Sequence, residues 1–187
     1  MAENLFEAQY DITKKSKFKR FYEANKILIF IAIFLFVVSL VSINFYFDAK
    51  EKKKMKLSEN YVMAKLYLDN DEKIKATNIL KEIIFADDRT YSTLSFFLIL
   101  NQDLLSEHKE ISDLFDHLLA NNEFAEEEKN LIIYKKMLFE SNVLNETELL
   151  EVAKPLLNTE TIWKPHALML LGDYFASKKE YLKAKEF

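Results

Sequence analysis

The feature that most constrains this chain is an uninterrupted apolar segment near its N-terminus. Ile27 to Phe47, ILIFIAIFLFVVSLVSINFYF, is 21 residues without a charged side chain. At about 1.5 Å per residue, a helix of this length spans about 31 Å, the thickness of the hydrocarbon core of a bilayer. A core helix would carry a polar stripe, and a cleaved signal peptide usually has a shorter apolar run. The segment therefore predicts an uncleaved transmembrane helix.

Basic residues flank this segment on both sides. Six Lys and Arg residues lie within residues 1–26, and five lie within residues 48–56. Because the more positive flank normally stays inside, this near balance does not decide the orientation. We divide the chain into a basic tail (1–26), a transmembrane helix (27–47), a basic juxtamembrane linker (48–56) and a large domain (57–187).

The large domain is predicted to be all-α. The chain has one Gly and two Pro among 187 residues, and sheets with their hairpins usually need many more such turn residues. Apolar residues recur at the i, i+3, i+4, i+7 spacing of amphipathic helices. The domain has 15 basic and 24 acidic residues, which argues against a nucleic-acid partner. The absence of cysteine excludes disulfides and thiolate metal sites.

The predicted helices of this domain come in pairs. First helices begin near Ser58, Tyr91, Glu127 and Lys164, at intervals of 33, 36 and 37 residues. A two-helix period of this length is typical of a helical solenoid, in which each pair buries its apolar face against the next. We therefore predict an N-terminal single transmembrane helix followed by a tetratricopeptide-repeat-like solenoid of about four helix pairs. A generic helical bundle is the alternative.

The sole glycine, Gly172, lies inside a predicted helix, where it costs roughly 1 kcal/mol relative to alanine. In a tetratricopeptide repeat, small residues stand where the paired helices approach closely, and Gly172 fits such a position. The two middle pairs fit poorly, since Leu98 falls where a small residue belongs. The predicted repeat-packing residues are Ala64, Tyr67, Ala76 and Leu80 in the first pair, and Leu168, Leu171, Gly172, Phe175, Tyr181 and Ala184 in the last.

No residue pattern indicates catalysis. The sequence has no H-E-x-x-H or G-x-S-x-G motif, and a phosphate-binding loop needs more than one glycine. Asp113 and His117 stand four residues apart, but no third metal ligand is evident, so we expect a solvated pair. We predict no enzymatic activity, no cofactor, no metal and no small-molecule substrate.

The single N-terminal span followed by degenerate repeats resembles the bacterial YfgM-like family. The resemblance is carried by Ile27–Phe47, by YVMAKLYLDNDEKIKATNIL at Tyr61–Leu80, and by WKPHALMLLGDYFASKKEYLKAKEF at Trp163–Phe187. It implies a single-pass protein of the bacterial inner membrane, with a cytoplasmic N-terminus and a periplasmic repeat domain. It also implies an ancillary role at the SecYEG translocon, linking exported chains to periplasmic chaperones.

The expected function is a membrane-anchored module that binds other proteins through its stacked helices. The alternative is a cytoplasm-facing scaffold or assembly factor, anchored by the same helix in the opposite orientation. The candidate partner-binding residues are polar positions on first helices: Asn60, Lys65, Asn101, Lys135 and Asp173.

Overall fold

The computed structural model describes residues 17–187, and within that range the regular structure is entirely α-helical. The chain divides into two compact units, Met1–Lys53 and Lys54–Phe187. The helices are α1 (Lys17–Asp69), α2 (Lys73–Ile84), α3 (Arg89–Asn101), α4 (His108–Asn121), α5 (Glu126–Glu140), α6 (Glu146–Leu157), α7 (Lys164–Ser177) and α8 (Tyr181–Ala184).

Helix α1 contains the predicted span. Among the described residues it is the one helix long and apolar enough to cross a membrane, with a mean hydropathy of 2.9 over its most apolar window. No residue of that window is buried, whereas the core helix of a soluble domain would be mostly covered. α1 is therefore a candidate membrane-spanning helix.

The boundaries of α1 differ from the predicted ones. The predicted linker, residues 48–56, is helical throughout, because α1 continues without a break to Asp69. These residues are mostly Lys, Glu, Ala and Met, which are strong helix formers, and they include no Gly or Pro. The predicted tail lies partly outside the described residues, and its described part, residues 17–26, is helical rather than irregular.

The core of the second unit consists of two clusters of buried apolar side chains that share α5. Ile132 belongs to the first cluster and its neighbour Ile133 to the second. Phe96 and Phe115 meet edge-on in the first cluster, with ring centroids 4.5 Å apart. Burying an apolar side chain of this size contributes roughly 1.5–3 kcal/mol. Consecutive helices are thus held together mainly by apolar contacts.

Left-handed residues other than glycine follow four of the described helices; Asp87, with a φ of 55°, follows α2, and the other three share one turn geometry. Asp71, Asp103 and Lys179 adopt positive φ angles of 60°, 51° and 64° after α1, α3 and α7. The residue at this left-handed position after a helix is usually glycine, because glycine has no Cβ to clash. The turns share one hydrogen bond, in which the next N–H donates to a carbonyl five residues earlier: Glu72 to Tyr67 (2.8 Å), Leu104 to Ile99 (3.1 Å) and Glu180 to Phe175 (2.9 Å).

The start of α6 explains a motif that reads as a glycosylation acceptor, Asn145-Glu-Thr147. Asn145 is the N-cap of this helix, and its side chain accepts a hydrogen bond from the Glu148 N–H at 3.1 Å. The Glu148 carboxylate in turn accepts from the Asn145 N–H at 3.0 Å. This reciprocal capping gives Asn145 a structural role.

The structure brings Gly172 against α8. A Cβ added to Gly172 would lie 3.5 Å from the carbonyl oxygen of Ala184, which is ordinary van der Waals contact. Helices α7 and α8 therefore approach closely here, yet the space accepts a methyl group. Of the other predicted packing residues, Ala64, Ala76, Leu80, Leu171 and Phe175 are buried, and Tyr67, Leu168 and Ala184 are partly buried.

Tyr181 does not take its predicted packing position. Its side chain is 62% exposed. α8 is only four residues long, and its partly buried positions are Lys183 and Ala184. A single helical turn can present only about half of its residues to a neighbouring helix, so Tyr181 is left facing solvent.

Candidate partner-binding groove

Two cavities lie between α3 and α5. The first, of about 300 Å³, is lined by the C-terminal halves of both helices, including Asn101 and Lys135. The second, of about 280 Å³, is lined by their N-terminal halves, including Leu94 and Leu131. Matching halves meet in each cavity, so the two helices lie side by side and point the same way. The Phe97 side chain lines both cavities.

These cavities together form what we call the α3/α5 groove. Its lining is mainly apolar. Arg89 and Glu128 line one cavity, and Asn101, Asp103 and Lys135 line the other. The groove is defined by Leu94, Phe97, Asn101, Leu131, Lys135 and Leu138.

A capped N-terminus fixes the start of α3. The Asp88 carboxylate accepts hydrogen bonds from the N–H groups of Thr90 (3.1 Å) and Tyr91 (2.9 Å). The Ser92 hydroxyl donates to the carbonyl of Ile83 at 3.0 Å, which ties α3 to the end of α2. The two bonds to Asp88 satisfy N–H groups that a helix start otherwise leaves without partners.

Helix α3 has two apolar faces. One face, with Phe96 and Ile99, is completely buried in the first core cluster. The other face carries Leu94, which is 44% exposed, and Phe97, which is partly buried. A helix that is apolar all round is normally buried on every side. Here the second apolar face opens onto the groove.

Helix α5 supplies the other wall in the same manner. Ile132 and Met137 are buried in the core. Leu138 is 43% exposed, and Lys135, one turn earlier, is exposed. The open face of α5 therefore alternates apolar and charged side chains along the groove.

The two ends of the groove differ in charge. At the N-terminal end, Arg89 Nε lies 3.7 Å from Glu128 Oε2, so the two charges face each other across the helices. At the other end, Lys135 lines the cavity together with Asn101 and Asp103. The neighbouring Lys136 pairs with Asp116, whereas within residues 17–187 the Lys135 ammonium makes no hydrogen bond or ion pair. This end of the groove therefore presents the Lys135 ammonium without a partner among the described residues.

The structure brings two of the five predicted partner-binding residues together in the groove. Asn101 and Lys135 line one cavity, although they stand on different helices. Lys65 and Asp173 are exposed and Asn60 is partly buried, but none of these three lines the groove.

Sequence reasoning missed the apolar residues of the groove. Leu94, Phe97 and Leu138 resemble core positions, because a sequence shows that a helix is apolar without showing which face stays open. A usable signal was present in α3, since Leu94, Phe97 and Asn101 follow the i, i+3, i+7 spacing of a second helical face.

Two of the three histidines contact carboxylates. His117 Nε2 lies 2.9 Å from Asp87 Oδ1, and Asp113 instead accepts a hydrogen bond from Lys109 at 2.6 Å. The predicted Asp113–His117 pair therefore does not form. His108 Nε2 lies 2.7 Å from Glu140 Oε2. In the described part of the chain, no group of three or more His, Asp or Glu residues is placed to hold a metal ion.

The sole tryptophan lies between two helices. Trp163, the N-cap residue of α7, stacks on Tyr134 of α5, with ring centroids 5.7 Å apart and planes 22° apart. This stacking packs the start of α7 against α5.

Comparison with known proteins gives no relative: the chain matches no protein-family model, no curated protein and no solved structure. The YfgM-like resemblance therefore stays a prediction.

Proposed function

We propose that this chain is a membrane-anchored protein-interaction module whose α3/α5 groove binds a segment of another polypeptide. The observation that carries the proposal is the pair of apolar cavities on either side of Phe97. Two neighbouring apolar cavities with polar ends suit a peptide that inserts successive apolar side chains, as grooves for helical or extended segments do. The free ammonium of Lys135 suits a carboxylate on that segment.

A tetratricopeptide-like stack is part of the proposal, and the spacing of the helices supports it. Helices α3, α5 and α7 begin at intervals of 37 and 38 residues. The left-handed turns at Asp71, Asp103 and Lys179 close α1, α3 and α7 with the same backbone hydrogen bond. Such recurrence is expected when each pair repeats one supersecondary unit.

Contacts between equivalent helices also support stacking. Lys81 of α2 pairs with Glu110 of α4, 29 residues later. Lys183 of α8 pairs with Glu146 of α6, 37 residues earlier. In a solenoid each repeat contacts mainly its neighbours, so contacts at about one repeat length are the expected pattern.

The membrane anchor of the proposed module is the segment Ile27–Phe47 of α1. Its length and composition suit a bilayer, and its side chains lack a protein core to cover them. A tethered module meets its partners at the membrane surface, where the tether raises their effective concentration.

Following the YfgM-like resemblance, we further propose that the N-terminus is cytoplasmic and that the domain lies in the periplasm of a bacterium. The partners would then be the SecYEG translocon and periplasmic chaperones. Protease added to cells with a permeable outer barrier and a sealed inner membrane tests this topology. Digestion of the domain supports the proposal. Protection until the membrane is dissolved favours the cytoplasm-facing scaffold or assembly factor.

Site-directed photocrosslinking in membranes tests the groove itself. A photoreactive residue is placed at Leu94 or Leu138 of the full chain, and a matched control is placed at Ile162, which is 68% exposed outside the groove. We expect the same discrete crosslinked partner from both groove positions and not from Ile162. Equal yields from all three positions would show that the groove is not the binding surface.

A further inference from the structure

A collar of aromatic and basic side chains surrounds α1 where the charge-free segment ends. Phe45, Tyr46 and Phe47 are 76%, 64% and 61% exposed. Lys50, Lys52 and Lys53 follow within the next two turns of the same helix and are also exposed. We call these six residues the α1 collar.

The lysines of the collar point in different directions around the helix. At about 100° per residue, Lys52 is rotated about 200° from Lys50, and Lys53 about 300°. In the sequence the basic run continues with Lys54 and Lys56. A protein partner contacts one face of a helix, whereas the headgroup layer of a bilayer contacts every face. The circular distribution therefore fits a lipid surface.

We propose that the α1 collar binds the headgroups of anionic phospholipids. Aromatic rings prefer the boundary between hydrocarbon and headgroups, and juxtamembrane lysines are attracted to anionic lipid surfaces. The inference rests on the proposed membrane anchor, which sets the collar at headgroup depth. It adds a preference for the class of lipid, which the anchor alone does not require.

Lys52 of the collar has a carboxylate partner on the same helix. Lys52 Nζ lies 2.8 Å from Asp48 Oδ2, and both side chains are more than half exposed. An exposed pair of this kind is weak, so a lipid phosphate can replace the carboxylate at little cost. Residues 48–56 carry five basic and two acidic groups, so the segment keeps a net positive charge for lipid.

The test reconstitutes the full chain into vesicles of phosphatidylcholine alone or with about a third phosphatidylglycerol. A neutral amine-acylating reagent labels the exposed lysines, and mass spectrometry gives the rate at each site. We expect the rates at Lys50, Lys52 and Lys53 to fall about threefold with phosphatidylglycerol and to recover in 0.5 M NaCl, because salt screens exposed charges. Lys135 should react equally in both vesicles. Inorganic phosphate added to phosphatidylcholine vesicles should leave all rates unchanged.

Substitutions provide a second readout, the enrichment of spin-labelled phosphatidylglycerol around the protein. The triple variant Lys50→Gln, Lys52→Gln, Lys53→Gln should lose the enrichment, and the corresponding triple Arg variant should keep it. The matched control Lys75→Gln, Lys109→Gln, Lys154→Gln removes the same charge from exposed sites of the helical domain and should also keep it.

Vesicle flotation separates failure of the collar from failure of the anchor. A chain that floats with both kinds of vesicle, but shows equal labelling and no enrichment, would overturn the collar and leave the anchor intact. A chain that floats with neither would overturn the anchor and, with it, the collar. A fall in labelling caused by inorganic phosphate alone would assign the collar to a soluble anion and overturn the lipid proposal.

Discussion

Lys183 Nζ lies 2.7 Å from Glu146 Oε2 and thereby joins α8 to α6. The same ammonium lies 2.9 Å from Glu180 Oε2 and 5.4 Å from the centre of the Phe175 ring. α8 has only four residues and cannot be stable as an isolated helix. Its position therefore depends on these contacts and on the close approach of Ala184 to Gly172.

The first prediction concerns the titration of Lys183. The hydrogen bonds that the Lys183 ammonium donates, to Glu146 first and then to Glu180, raise the pKa of Lys183 above its usual range. A raised folded pKa contributes stability that is fully present below the unfolded value, about 10.4, and is lost as pH rises through the folded value. We therefore expect this pair to persist unchanged from pH 7 to 9. NMR titration should give Lys183 a pKa above that of an exposed lysine, and Glu146→Gln should lower it. An ordinary pKa in both proteins would contradict the contact.

The second prediction concerns Gly172. The Gly172→Ala variant should raise the free energy of unfolding by up to about 1 kcal/mol, because alanine is the better helix former and its Cβ fits beside Ala184. Gly172→Leu should lower it by about 1–3 kcal/mol, because a larger side chain would push α8 away. Urea unfolding measures both. A destabilised alanine variant would mean that α7 and α8 approach more closely than the 3.5 Å separation indicates.

The third prediction compares two buried serines of α3. The Ser92 hydroxyl donates to Ile83 O and accepts from Asp88 N–H, whereas Ser95 Oγ has no hydrogen-bond partner among the described residues. We expect Ser92→Ala to lower the free energy of unfolding by about 1–2 kcal/mol, and Ser95→Ala to leave it unchanged or raise it. Thermal unfolding distinguishes the two. Equal losses would indicate that Ser95 also has a partner.

The fourth prediction concerns the left-handed turn at Lys179. A non-glycine residue at φ 64° carries a steric cost that glycine avoids. Lys179→Gly should therefore raise the free energy of unfolding by about 0.5–1 kcal/mol. Lys185→Gly is the matched control, since Lys185 has a φ of −83°, and there glycine should give no gain. Chemical unfolding of both variants measures these changes. An increase in the free energy of unfolding at both sites would show that the left-handed turn is not its cause.

The fifth prediction concerns the groove. Replacing Leu94 and Leu138 together by Asp should weaken binding of the crosslinked partner at least about tenfold, because charged side chains would occupy both cavities. Both positions are more than 40% exposed, so the fold should survive with its circular dichroism spectrum unchanged. The control Met169→Asp, at a residue that is 68% exposed on α7, should bind normally. Unchanged affinity of the double variant would exclude the groove as the binding surface.

Local sequence rules were enough to predict most of the helices. Pro165 lies in the first turn of α7, and the acidic residues 126–128 lie in the first turn of α5. Both signals act through the ends of a helix, where missing N–H groups and the helix dipole favour particular residues. The extent of α1 could not be predicted so well. A change from apolar to basic residues indicated a domain boundary, but lysine and glutamate propagate a helix as well as leucine does.

The sequence by itself therefore determined the helical class, the candidate span and the approximate period of the helices, because these depend on composition and on neighbours within a few turns. Only the tertiary structure decided which apolar faces stay open. Leu94 and Phe97 have the same chemistry as buried core residues, and Asn101 and Lys135 stand far apart in sequence. Their meeting in one groove depends on how α3 and α5 pack against the rest of the domain, which no local pattern records.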